Sequence, residues 1–142
     1  MKKYLIVGLI LVILCGCQKQ SDEITGEVVK STLEIEQVTL TEDGSFSLEE
    51  CKKRELNNKV LMLESKYCGH CKAALPVFNE ACNEKGIIPL ILDVSEDEQR
   101  KQMEKFGLNI MYTPTLVFGC DYYIGARQKQ EYLQILDKFL ND

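Results

Sequence analysis

Apolar positions fall into two regimes along the chain. From Tyr4 to Leu14 they are continuous apart from Gly8; after Cys17 they recur with the periods of strands and helices. Leu33-Glu34-Ile35-Glu36 alternates apolar and polar, Val38 and Leu40 follow, and the stretch predicts a first strand. Ser47-Leu48-Glu49-Glu50 has the form of a capping box, with Phe46 and Cys51 spaced as a hydrophobic staple, so a short helix is expected through Leu56. Val60-Leu61-Met62-Leu63 is a continuous apolar run bounded by Asn57-Asn58, which suits a strand buried on both faces. Cys71, Ala74, Leu75, Phe78, Ala81 and Cys82 share one face of a helix running to Lys85, closed by Gly86.

Ile87 to Val94 predicts another buried strand, with Pro89 at its beginning or in a bulge. Ser95 can cap a charged helix to Phe106, which Gly107 stops. Thr115–Phe118 and Tyr122–Ile124 read as two strands around a turn at Gly119-Cys120-Asp121. Tyr132, Leu133, Leu136, Phe139 and Leu140 repeat at helical spacing to the end. The order β-α-β-α-β-α-β-β-α predicts an α/β fold with a central mixed sheet and helices on both of its faces.

At 142 residues, 45% hydrophobic and 27% charged, the chain has the makings of one globular domain rather than a disordered segment. A net charge of −5 argues against a nucleic-acid partner, which calls for a basic face. One histidine and no tryptophan leave little for a multi-histidine metal site. Seven cysteines, at 15, 17, 51, 68, 71, 82 and 120, change the picture.

The positive start Met1-Lys2-Lys3 before an apolar run too short to span a membrane reads as an export signal. The run ends Leu14-Cys15-Gly16-Cys17, which resembles the bacterial lipobox. That resemblance implies cleavage after Gly16, lipidation of Cys17 and a lipid anchor in the membrane. Loss of residues 1–16 removes Lys2 and Lys3 and takes the net charge from −5 to −7. A plain signal peptide or an uncleaved N-terminal anchor are the alternatives, and all three place the domain outside the cytoplasm, where disulfides persist. The expected organisation is a signal over residues 1–16, a polar tether over 17–32 and a folded domain over 33–142.

Cys68-Gly69-His70-Cys71 lies between a buried strand and a helix. At a helix N-terminus the unpaired N–H groups and the helix dipole favour an anionic sulfur at Cys68. Cys71, one turn in, is shielded but near enough to close a disulfide, and an outer nucleophile with an inner resolving sulfur is what thiol exchange requires. His70 can set a positive or hydrogen-bonding group near Cys68. Half a zinc site would need a second ligand pair, which the sequence does not supply. Haem attachment would need histidine where Lys72 stands, and a purely structural bridge over so short a loop adds little.

The segment Lys66-Tyr67-Cys68-Gly69-His70-Cys71-Lys72 resembles the thioredoxin superfamily, with the Gly-His pair of protein disulfide isomerase. Pro76, Thr113-Pro114-Thr115 and Gly125 match that family's helix proline, cis-proline loop and late glycine, so the resemblance spans residues 33–142. It implies a thioredoxin-like fold and an extracytoplasmic thiol–disulfide oxidoreductase that needs no metal and no cofactor. Catalysis would then lie with Cys68, Cys71, His70 and Gly69, and substrate contact with Tyr67, Thr113 and Pro114. The implied partners are protein thiols and disulfides and a membrane or soluble redox partner, with the chain itself a monomer. Gly-His leans toward an oxidase or isomerase, whereas relatives tethered as lipoproteins are often reductases. The rival reading is a non-catalytic binding module, or one that holds a metal through Cys68 and Cys71.

The sequence departs from the family where a buried acid is expected six residues before Cys68: Met62 stands there. Glu64, on the same strand face, is the candidate proton acceptor for Cys71. Pro89 replaces a lysine on the next strand. Of the remaining cysteines, Cys51 and Cys82 fit as small core residues and Cys120 lies in a turn, the most exposed position of the three. A Cys51–Cys120 bridge is compatible with this pattern, one thiol is left over in any pairing of the five, and none of the three is given a catalytic role.

Overall fold

The computed structural model describes residues 35–142; the expected signal and tether, with Cys17, lie outside them. The elements are β1 (Val38–Leu40), β2 (Gly44–Ser45), α1 (Leu48–Lys53), β3 (Val60–Glu64), α2 (Gly69–Glu84), β4 (Leu90–Asp93), α3 (Asp97–Lys105), β5 (Leu108–Ile110), β6 (Thr115–Phe118), β7 (Asp121–Ile124) and α4 (Lys129–Asn141).

The apolar run of β3 lies inside a five-stranded sheet of order β2-β7-β6-β3-β4. It pairs in parallel with β4 (Met62 opposite Ile91) and antiparallel with β6 (Met62 opposite Leu116). β6 turns back along β7, and β7 carries β2 at the far edge. Alternate residues of β3 feed two different cores, as a strand covered on both faces must. Leu61 and Leu63 pack with Leu40, Cys51, Leu56, Leu92, Met103 and Leu108. Val60 and Met62 pack with Cys71, Phe78 and Cys82 of α2 and Tyr132 and Leu136 of α4. The result is the expected thioredoxin-like architecture, a mixed sheet between helical layers.

Several local expectations give way to competing interactions. Two strands were not legible: β2, only two residues long, and β5, which pairs in parallel with β1 in a small separate sheet. The first strand is confined to Val38–Leu40 among the described residues. At Ser47 half of the capping box forms: its hydroxyl accepts the Glu50 N–H, but the Glu50 carboxylate turns to Arg54 instead. The fourth strand is shortened to Leu90–Asp93 because Pro89 donates no ladder hydrogen bond, and Ile88 is left almost wholly exposed. Ser95 does not cap α3; its hydroxyl and amide both go to Asp93, and Glu96 takes the cap position with its carboxylate paired to Lys66.

Gly107 ends α3 at φ +66°, and a Cβ there would stand 2.3 Å from both Arg54 and Ile35, so glycine is required on two counts. Arg54 is buried, and its guanidinium donates to Glu50 and to the Phe106 and Gly107 carbonyls, fixing α1 to the α3–β5 turn. Cys120 is half-buried rather than exposed and is disulfide-bonded to Cys51, which resolves the open pairing and fastens α1 to the β6–β7 turn. Cys82 is the unpaired cysteine among the described residues. Leu140 is 54% exposed although it follows the apolar spacing of α4.

Candidate active site

β3 delivers the chain to a tight turn, closed by the Cys68 N–H to the Ser65 carbonyl at 2.8 Å, and α2 starts at once. Cys68 is therefore the N-cap of α2, and the helix opens two residues earlier than its apolar face predicts. In place of the usual oxygen cap, the Cys68 sulfur accepts the Cys71 N–H at 3.1 Å. The Cys71 amide hydrogen and the positive end of a sixteen-residue helix thus meet at that sulfur and stabilise negative charge there. Cys68 is half-buried, Cys71 fully buried, and the two form a disulfide across a Cα separation of 5.2 Å.

The loop before β6 completes the site from the other side. The Thr113–Pro114 peptide bond is cis, and the Thr113 carbonyl oxygen lies 3.3 Å from the Cys68 sulfur. Two hydrogen bonds hold the loop: the Thr115 hydroxyl to the Tyr112 carbonyl at 2.7 Å, and the Gly125 N–H to the Pro114 carbonyl at 2.7 Å. Tyr67, 79% exposed, leads into Cys68, with the Lys66 ammonium 5.3 Å from its ring. His70 is exposed in the first turn of α2. Gly69 is exposed too, and a Cβ on it would meet nothing within 4 Å, so no steric demand requires glycine there.

Met62 is fully buried in the same cluster as Cys71. Glu64, two residues on along that face, pairs in register with Asp93 of β4. Partial burial and the Asp93 charge both hold the Glu64 carboxyl above its ordinary pKa. Asp93 is driven the other way, chiefly by the Ser95 hydroxyl. Among the described residues no group of three or more His, Cys, Asp or Glu side chains is placed to hold a metal ion.

Cys68, Cys71, Thr113 and Pro114 are thus brought together, with Tyr67, Gly69 and His70 adjoining in the chain, and Glu64 on the neighbouring strand end. Sequence reasoning passed over Met111 and Tyr112, which are 63% and 54% exposed just before Thr113. The available signal was two large apolar residues in a loop rather than in either core pattern. Asp93 was also passed over, because only the β3–β4 register sets it beside Glu64.

The thioredoxin sequence profile matches residues 37–138. Among solved structures, the chain is similar to oxidised thioredoxin from Plasmodium falciparum, with 20% identity over 72% of this chain and 97% of that one and a TM-score of 0.45. It is also similar to the Malassezia sympodialis thioredoxin Mala s 13, with 21% identity over 70% and 96% and a TM-score of 0.41. No curated protein sequence matches it significantly. With the profile covering most of the chain, from the first strand to the last helix, the protein belongs to the thioredoxin family.

Proposed function

We propose that this protein is a thiol–disulfide oxidoreductase working outside the cytoplasm, anchored to the membrane as a lipoprotein through Cys17. The observation that carries the exchange chemistry is the asymmetry of one disulfide. Cys68 is reachable and its sulfur accepts an amide hydrogen; Cys71 is sealed in the core. A substrate thiolate attacks the Cys68 sulfur, the Cys68–Cys71 bond breaks, and Cys71 leaves with the electron pair and takes a proton. A second substrate thiolate then attacks its own sulfur in the mixed disulfide. Cys68 departs as a thiolate, and the substrate keeps the new disulfide. Run in reverse, the same steps reduce a substrate disulfide and leave Cys68–Cys71 oxidised.

Each remaining residue has a part in this scheme. Thr113, beside the Cys68 sulfur, presents backbone to a substrate backbone, and Pro114, lacking an N–H, offers no competing donor. Tyr67, next to Cys68 in the chain, and Met111 and Tyr112, just before Thr113, offer exposed apolar surface suited to polypeptide substrates. His70 stabilises the Cys68 thiolate and so favours the reduced pair, which makes the disulfide the better oxidant. Gly69 leaves the approach to Cys68 open. With Met62 in the acid's place, Glu64 is the carboxyl that receives the Cys71 proton, its raised pKa suiting that exchange.

Equilibration of the soluble domain, lacking residues 1–17, with glutathione measures the Cys68–Cys71 potential. A value near about −120 to −180 mV makes disulfide donation or isomerisation the task, and one near about −270 mV makes it a reductase fed by an electron donor. No exchange with glutathione at all would sink the enzymatic reading. Metabolic labelling with a fatty acid, lost on Cys17→Ala, tests the anchor.

A further inference from the structure

The second disulfide also joins two residues of unequal burial. Cys51 is completely buried in α1, while Cys120 is half-buried in the β6–β7 turn. Cys120 lies on the wall of a groove of about 610 Å³, bordered by Leu48, Lys52, Asn58, Phe139 and Leu140. That volume is in the range that accommodates small molecules. Leu48 and Leu140 are 61% and 54% exposed, so the groove opens to solvent.

A thiolate opens a disulfide by attacking one sulfur in line with the bond and expelling the other, and access decides which is attacked. Here the less buried residue, and the one that borders the groove, is Cys120, which makes Cys120 the sulfur attacked and Cys51 the leaving sulfur. The surroundings hold both partners in place without the bond. Arg54 still ties α1 to the Phe106 and Gly107 carbonyls, and the Phe46 N–H still donates to the Cys120 carbonyl at 2.8 Å. Phe46 also packs on Tyr122, the second residue of β7, with ring centroids 4.9 Å apart.

We propose that Cys51–Cys120 is a second thiol-exchange site, entered through Cys120 and restricted to small thiols by its groove. The small thiolate bonds to the Cys120 sulfur, the bond to Cys51 breaks, and Cys51 leaves with the electron pair and takes a proton from solvent. Cys51, deprotonated again, attacks Cys120 and expels the small thiolate, restoring the bond with no net oxidation. Alternatively, a second small thiolate attacks the adduct's outer sulfur. It departs as the small disulfide and leaves Cys51 and Cys120 reduced, the two electrons supplied by the two small thiols. The leaving sulfur Cys51 is fully buried, as Cys71 is at the first site, and burial disfavours its thiolate, so this exchange is slow.

The site can be isolated in the full chain carrying Cys68→Ser and Cys71→Ser, so that the outcome is independent of the active-site proposal. The folded variant is incubated with reduced glutathione, quenched in acid and mapped by mass spectrometry. The adduct is expected on Cys120 and not on Cys51. Adding Leu140→Trp, which fills the groove, should slow native opening at least about tenfold, since exchange rate follows access. In denaturant the two proteins should open equally fast, which controls for an effect on folding. A surface cysteine on a folded carrier protein, at matched thiolate concentration, should open the bond no faster than the Leu140→Trp variant reacts with glutathione. An adduct on Cys51, opening only in denaturant, equal native rates with and without Leu140→Trp, or attack by the carrier protein as fast as by glutathione each overturns the proposal.

Discussion

Cys68–Cys71 and Cys51–Cys120 stand at opposite ends of β6, three and 69 residues apart in sequence, and the difference in spacing sets what each can do. A cross-link stabilises chiefly by shrinking the unfolded ensemble, and its effect grows with the loop it closes. The short bridge constrains little, so breaking it leaves the fold intact, and its reachable sulfur sits where a helix favours negative charge. The long bridge fastens α1 to the β6–β7 turn, and its Cys120 lies on a groove wall rather than at a helix N-cap. Exchange with protein substrates and cross-link stability are therefore divided between two bonds of the same kind.

The largest effect that would test this division is on exchange itself. Cys68→Ser should abolish reduction or oxidation of a protein disulfide, while Cys71→Ser should accumulate the mixed disulfide on Cys68, seen by non-reducing mass analysis. In both variants Cys51–Cys120 should remain oxidised. Residual turnover in Cys68→Ser would show that the second bridge serves protein substrates too, and the contrast would collapse.

Stability should respond in the opposite sense. Replacing Cys51 and Cys120 with serine should lower the unfolding free energy by about 4 kcal/mol, and replacing Cys68 and Cys71 by no more than about 2 kcal/mol, on the loop-length argument. Urea unfolding without reductant checks both, with exchange activity preserved in whatever fraction of the first variant is folded. Equal losses would remove the distinction between the two bonds.

The two bridges also differed in how far the sequence revealed them. Cys68-x-x-Cys71 is a local signal whose meaning comes from its own strand–helix context, and Thr113-Pro114 could be matched to it through family resemblance. A Cys51–Cys120 bridge was open from sequence, because pairing across 69 residues depends on where α1 packs, and nothing local encodes that. The same division runs through the fold. The apolar run of β3 and the periodic faces of α2 and α4 were legible because burial leaves a pattern in the residues themselves. β5 was not, since three residues carry little pattern and its partner β1 lies 70 positions upstream. Ser95 failed as a cap for a similar reason: Asp93, two residues back, competed for its hydroxyl.

A smaller effect concerns which substrates reach the first bridge. Met111→Ser and Tyr112→Ser, together, should lower kcat/KM for an unfolded protein disulfide by roughly tenfold, the scale of about 1–2 kcal/mol for lost apolar contact. Turnover of a small disulfide, which has no chain to lay on that surface, should change little. If both substrates fall alike, the residues support the Thr113–Pro114 loop rather than recognise polypeptide. Leu48→Ser and Leu140→Ser, at the other groove, should alter neither.

The smallest expected effect lies in the carboxylate pair at the active end of the sheet, Glu64 and Asp93. Glu64 has a raised pKa in the fold, from burial first and the Asp93 charge second, so ionising it costs the folded state. Its contribution is neutral to stability when protonated and unfavourable once pH rises from the ordinary glutamate range through the raised value. Glu64→Gln should therefore be more stable than the parent at pH 7 and lose that advantage as pH falls through the raised value toward about 4.5. Asp93 has the opposite sign, because the Ser95 hydrogen bonds hold its pKa down. Its ionised form favours folding above the ordinary aspartate range, and the gain disappears as pH falls through the lowered value. Asp93→Asn should accordingly be less stable at pH 7, although relief of Glu64 offsets part of the loss. Urea midpoints across pH 3–7 for both variants would resolve the two slopes. The mechanistic reading asks for more: Glu64→Gln should also slow release of the mixed disulfide by Cys71 at neutral pH. A variant that shifts the stability curve as described but leaves that rate unchanged would assign Glu64 to the sheet end alone and return the Cys71 proton to solvent.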